Sequence, residues 1–252
     1  MENVFYINRN VDTNRNIYMQ NQLTRLGILG TRVEAVEGNL LFNDNSYREK
    51  VQDILKIDKR YFEPEWVLNR SNFKVMTSLP TSVYPRFGLY LSTIKALMTA
   101  QDHGLNSCTI LEDDAIIKSN VKTAVVPEAD VVYLGGTFLG PHDSDDELIK
   151  IKSDRLKVFG TFGYIVQDIN SILKILKAPF QDGQSFDKHA DWRSGNIKLR
   201  AQSIDNFYKN YFQKYGNCFF INPQSVTHPL DNLSTINKKQ YNYEKCGLRF
   251  KY

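Results

Sequence analysis

The chain has 252 residues, 42% of them hydrophobic, 12% aromatic and 24% charged, with 14 Gly and 8 Pro; this excludes collagen, coiled coil and wholesale disorder and suits one domain with a sizeable core. No apolar run approaches the roughly 18 residues that a membrane helix needs, and the N-terminus does not read as a signal peptide. The net charge of +4 belongs to the end of the chain, because residues 238–252 hold five basic side chains against one acidic, while the first 237 are balanced at 27 each.

From the N-terminus, Asn3 to Asn8 (NVFYIN) predicts a strand. A loop and an amphipathic helix follow, with Ile17, Leu23 and Leu26 near helical spacing, Thr13 or Asp12 as cap and Gly27 as stop. A second strand is predicted over 31–36 (TRVEAV). Strand, helix and strand at this spacing open a βαβ unit, and therefore a parallel sheet. A helix is expected over 46–57. Residues 58–85, with Pro64, Pro80 and Pro85 to break any long element, read as an excursion from the sheet. Residues 86–103 carry helical periodicity through Leu89, Ile94, Leu97 and Met98 and stop at Gly104. The segment SCTILEDDAII at 107–117 is the sharpest feature: a strand runs into three acidic residues and then resumes apolar character.

A further strand, 130–134, is expected to end at Gly135 and Gly136, ahead of an acidic loop at 141–147. A strand around 162–166 leads to a helix through Leu176. Residues 178–203 read as loop, 204–215 as helix, 218–221 as strand and the remainder as an irregular tail. With no internal repeat or linker, one α/β domain is the economical expectation. Cys108, Cys218 and Cys246 form no CxxC spacing, and their odd number argues against a closed disulfide framework. Cys108 and Cys218 are expected in the core, and a reducing, cytoplasmic compartment follows.

Glu112, Asp113 and Asp114 end a strand apolar enough to be central. Carboxylates at the C-terminal end of such a strand lie where open α/β sheets bind ligands. Strand alternation would put Glu112 and Asp114 on one face and turn Asp113 away. Clustered carboxylates repel unless a proton or cation separates them, and Mg²⁺ or Mn²⁺ takes a few oxygen ligands together with phosphate oxygens. An acidic turn that merely caps the next element is the plainer alternative.

With this cluster in place, the chain resembles glycosyltransferase family 25, the group of lipooligosaccharide galactosyl- and glucosyltransferases and procollagen galactosyltransferases. VFYINRNVDTNR is similar to the family's opening strand and Arg-containing loop, RVEAVEG to its second strand, and GLYLSTIKAL (88–97) to its Gly-x-x-Leu-Ser-His helix. LEDDA (111–115) resembles the acidic metal motif, VYLGG (132–136) the next strand, GTFGYIV (160–166) the threonine-glycine-tyrosine strand, SIDNFY (203–208) the start of a late helix, and INPQSVTHPLDNLSTI the closing segment. The match spans 3 to about 236. It departs at Thr93, where the family has His, and over 178–202.

The resemblance implies a GT-A-like single domain over 1–237, with a mixed, mostly parallel sheet flanked by helices, followed by a basic tail at 238–252. It implies inverting, metal-assisted sugar transfer from a nucleotide-diphosphate sugar, a UDP-hexose above all, to a hydroxyl acceptor. That acceptor is a surface saccharide by the family's habit; a hydroxylated DNA base is the alternative, which only the basic tail supports. A carbohydrate- or nucleotide-sugar-binding module without turnover is a third reading. Asn8, Arg15 and Glu112 become donor-site candidates, and Gly135 and Gly136 would admit the donor sugar. Asp114, Glu112 and His228 become candidate ligands of Mn²⁺ or Mg²⁺. Asp205 is the candidate general base, or a cap or first-turn acid of its helix, or both. Asp187 and Asp191 stand in reserve, and the run Asp143, Asp145, Asp146 and Glu147 reads as a solvated loop.

Overall fold

The computed structural model describes residues 3–63, 67, 80–118, 126–139, 146–151, 157–181 and 202–228. The basic tail, Asp187, Asp191, Cys246 and most of the acidic 141–147 loop lie outside them. A seven-stranded mixed sheet has the order β2-β1-β3-β7-β5-β8-β6, in which β1 is Val4–Asn8, β2 Gly30–Glu34, β3 Cys108–Glu112, β5 Val131–Leu139, β6 Leu148–Lys150, β7 Lys157–Val166 and β8 Cys218–Ile221. The pairings β1·β2, β1·β3 and β5·β8 are parallel, whereas β7 runs antiparallel to both β3 and β5, and β6 antiparallel to β8. Five strands therefore point one way and only β7 and β6 oppose them. A second, two-stranded sheet pairs β4 (Ile116–Ile117) with β9 (Val226–Thr227).

Every residue of β1 is buried, as a strand covered on both faces must be. Its odd and even positions serve different layers. Phe5 and Ile7 join the larger cluster beneath the helices α3 (Asn45–Leu55), α4 (Pro80–Asp102) and α5 (Ile169–Lys177), whereas Val4 and Tyr6 join the smaller one with Met19 and Leu23 of α1 (Thr13–Arg25). Cys108 and Cys218 are buried core residues in no disulfide, and burial raises the Cys108 thiol to about 12.

The expected βαβ opening is present, with Gly27 in the left-handed region at φ +64° after α1. The face of α1 differs from the expected one. Met19 and Leu23 are buried but Ile17 is 54% exposed, because it lies six residues, or about 120° of helical rotation, away from Leu23. Gln22 takes the inward place instead. Its side chain donates to the Ala115 carbonyl at 2.9 Å and accepts from the Ile117 N–H at 2.9 Å, clamping the chain just after the acidic turn.

Two further expectations are corrected. Pro85 does not break a helix: α4 begins at Pro80 and carries Pro85 inside it. Nor does β5 end at Gly135-Gly136, since it runs on to Leu139 through register shifts between Tyr133 and Thr137. A bulge of this kind suits residues without a side chain.

Gly38 and Gly88 explain why α4 sits so near the end of β2. A Cβ on Gly88 would stand 2.4 Å from the Val36 carbonyl oxygen, and one on Gly38 1.8 Å from that of Tyr84. Ser92, one turn after Gly88, donates to the Gly88 carbonyl at 2.7 Å and accepts from the Val36 N–H at 2.8 Å. Since the blocking atoms are backbone, Gly88→Ala is expected to destabilise the fold by about 1–3 kcal/mol or more, read as a lowered melting temperature. An unchanged melting temperature would show that the two segments are not held this closely.

Candidate active site

The acidic residues sit at the carboxyl ends of β1 and β3, the edge where such sheets bind ligands. Strand alternation does not extend through them: β3 stops at Glu112, and Asp113 and Asp114 form a turn closed by the Ala115 N–H donating to the Glu112 carbonyl at 3.1 Å. The three carboxylates consequently go to two places.

Asp113 and Asp114 are both buried and share one cation. Arg15, in the first turns of α1, places Nη1 3.0 Å from Asp113 Oδ1 and 3.0 Å from Asp114 Oδ2. Asp113 Oδ2 also accepts from Asn8 Nδ2 at 2.7 Å. The Asn8 amide is fully used, since Nδ2 donates to the Asp12 carbonyl at 3.1 Å and Oδ1 accepts from Arg32 Nε at 2.9 Å. Asn8 and Arg15 therefore hold the acidic turn itself. Asp113, assigned no part by alternation, is what couples the turn to β1 and α1.

Asp114 has a second neighbour. His228, just after β9, brings Nε2 to 3.1 Å from Asp114 Oδ2 and sets its ring at 4.8 Å from that of Phe162, tilted by 40°. Burial raises the Asp114 carboxyl, but the hydrogen bond and charge of His228 and the charge of Arg15 outweigh it, so the net shift is downward. Asp114 Oδ1 is buried with no hydrogen-bond partner, a costly state for a carboxylate oxygen. An orphaned oxygen beside an imidazole is a donor set that a hard divalent ion fits. Two protein ligands suffice for an ion that takes its remaining oxygens from water and phosphate. Among the described residues no group of three or more His, Cys, Asp or Glu gathers into a closed cage, and Glu112 turns elsewhere.

Glu112 Oε1 lies 2.7 Å from Thr161 Oγ1, and the same hydroxyl is 3.1 Å from Asp205 Oδ1. A hydroxyl carries one proton and cannot donate to both. The three groups are satisfied together if Glu112 is protonated and donates to Oγ1, while Oγ1 donates to an ionised Asp205. Burial, then the charges of Asp114 and Asp205, push the Glu112 carboxyl up to about 8, against the opposing pull of Thr161 and His228. Asp205 is also raised by burial, and the hydrogen bonds from the Thr161 side chain and backbone and the charges of Lys209 and Arg86 oppose this. Asp205 occupies the first turn of the 204–215 helix, but Ser203 is its N-cap residue. Its carboxylate is thus turned to β7 and does not cap the helix.

A pH dependence follows from Glu112. The folded chain holds a proton that the unfolded chain releases near 4.5, so stability falls as pH rises from about 5 to about 8. The melting temperature of chelator-treated protein is expected to decline across that interval, and Glu112→Gln, which cannot ionise, to flatten the decline. Equal slopes for the two proteins would exclude a buried neutral Glu112.

Gly135 and Gly136 allow close approach, but to the chain's own atoms. A Cβ on Gly135 would lie 1.8 Å from the Val226 carbonyl oxygen, and one on Gly136 2.3 Å from Val158 Cγ1. The smallness of Gly135 lets β9 lie across β5 and so brings His228 to Asp114, while that of Gly136 serves the packing of β7 on β5. Thr93 completes no ligand set: its hydroxyl donates to the Leu89 carbonyl at 3.1 Å within α4. Thr161, which joins the two acids, was hidden in sequence because a threonine in a strand gives no local sign of two carboxylates converging on it from 44 and 49 residues away.

No helix among the described residues is long and apolar enough to cross a membrane. No family model matches the chain, and no curated protein matches it either. Among solved structures it is similar to the nucleoside-diphosphate-sugar pyrophosphorylase from Vibrio cholerae RC9, at 14% identity and a TM-score of 0.39 over 89% of this chain and 75% of that one. A likeness this distant says nothing of activity.

Proposed function

We propose that this chain is an inverting, metal-dependent glycosyltransferase that moves a hexose from a UDP-sugar to a hydroxyl acceptor, with a saccharide favoured as acceptor. The observation that carries this is the division of labour at the end of β3. One carboxylate stands beside an imidazole with an oxygen unpartnered, and a second pair of carboxyls is joined through one hydroxyl on the neighbouring strand. The resemblance of these segments to glycosyltransferase family 25 points the same way.

In this reading Asp114 and His228 would hold Mn²⁺ or Mg²⁺, which when bound neutralises the diphosphate leaving group. Arg15 fixes the acidic turn and keeps Asp114 ionised. Asp205 accepts the proton of the acceptor hydroxyl as that oxygen bonds to the anomeric carbon and the bond to the nucleoside diphosphate breaks. Thr161 orients Asp205, and Glu112, kept neutral, supplies the proton that lets the Thr161 hydroxyl face Asp205.

The test is thermal denaturation with UDP-, GDP- and CMP-sugars, each with and without Mn²⁺. A ligand at 100 times its Kd stabilises by about 2.7 kcal/mol, and the expected result is a metal-dependent rise with a UDP-sugar alone. If no nucleotide-sugar raises the melting temperature or is hydrolysed under any metal condition, the proposal fails.

A further inference from the structure

The helix that carries Asp205 also brings a lysine against β7. The 204–215 helix runs antiparallel along the first half of β7: Asp205 meets Thr161, Lys209 lies 4.9 Å over the ring of Phe159, and Gln213 Nε2 donates to the Val158 carbonyl at 2.6 Å. Lys209 thus follows Asp205 by one helical turn, a rise of about 6 Å, at the start of the π-helical segment Tyr208–Phe212. Its ammonium donates to Asn206 Oδ1 at 3.0 Å, leaving further N–H donors for a ligand.

Lys157 opens β7 and is exposed. Burial lowers the Lys209 ammonium, and the charge of Lys157 lowers it further, against the pull of Asp205. The charge of Arg86 of α4 also acts on Asp205. Two ammonium groups that repel one another, one of them half stripped of water beside an aromatic face, are relieved by an anion.

We propose that the acceptor is an acidic saccharide, whose attacking hydroxyl faces Asp205 and whose carboxylate or phosphate is held about one sugar ring away by Lys209 and Lys157. This rests on the glycosyltransferase reading and narrows its acceptor. A small acid fits better than a nucleic acid because, among the described residues, these lysines are local to the side of Asp205 and do not extend into the basic stripe that a polyanion requires.

The test titrates the full chain by calorimetry with methyl glucuronoside, methyl glucoside 6-phosphate, neutral methyl glucoside and a 12-nucleotide single strand. At least one charged glucoside is expected to bind about 10-fold or more tighter than the neutral one, and the two charged arms tell carboxylate from phosphate. That preference is expected to vanish in Lys157→Gln/Lys209→Gln and to weaken in Lys157→Gln, whose exposed position spares the fold. Equal binding of charged and neutral glucosides overturns the proposal, as does a preference that survives the double substitution. Tight, steeply salt-dependent binding of the single strand, lost in the same variant, also overturns it and gives the site to nucleic acid. If a UDP-sugar is hydrolysed but acidic glucosides are not preferred, only the acceptor proposal falls. If acidic glucosides bind while no nucleotide-sugar binds or is hydrolysed, it is the transferase reading that falls.

Discussion

Asp205→Asn is expected to lower sugar transfer about 10²- to 10⁴-fold, the range that a positioned general base supplies. The substitution keeps the shape of the side chain and an oxygen to accept from Thr161, so the surroundings stay built while the proton acceptor is lost. The loss should fall on kcat. The donor's KM should hardly move, because Asp205 is held by Thr161 and feels the charges of Lys209 and Arg86, whereas Arg15 and His228 engage Asp114. The variant should also be at least as stable as the parent, since an amide removes the cost of a buried charge. That separates the expected result from unfolding: a fall in rate without a fall in melting temperature. Thr161→Val should give a smaller loss of the same kind, because the base survives but loses its orienting hydroxyl. Near-normal kcat in Asp205→Asn would remove Asp205 from the chemistry.

The second large effect is expected from Asp114→Ala. Loss of an outer partner of a metal ligand typically costs 10–100-fold in metal affinity or activity, and loss of a ligand itself should cost more. Metal-dependent stabilisation by a UDP-sugar and donor hydrolysis should both disappear. The fold should persist, because Asp113 still engages Arg15 at 3.0 Å and Asn8 at 2.7 Å. His228→Ala should weaken the metal dependence less, leaving Asp114 in place. Donor hydrolysis that needs metal and survives Asp114→Ala would show that the ion sits elsewhere.

Much of this was legible in the order of residues. The apolar run of β1, the period of α1 and the strand of β2 announce a parallel βαβ unit, and the apolar stretch before Glu112 announces a central strand whose end carries the acids. What was not legible is non-local. Alternation holds only while the chain stays extended, so the turn at Asp113 defeats the assignment of faces. The glycines of β5 read as a strand end because nothing nearby tells of β9 crossing them. Ile17 looks like a core residue by helical spacing with Leu23 and Leu26, whereas the buried Gln22 is spent on the backbone after the acidic turn. Thr161 is the same case carried further, since its meaning lies wholly in partners from other segments.

The pairing of Asp114 with His228 spans 114 positions of chain. On a ribosome adding about 5–20 residues per second, the acid turn exists for roughly 6 to 23 s before its imidazole has been made. Arg15, already synthesised, can neutralise the turn throughout, so the nascent chain need never fold around a bare buried anion. The edge that carries Asp114 is therefore completed only once β9 has been made, and a half-made chain carries a quiet salt bridge where the folded one also carries the imidazole.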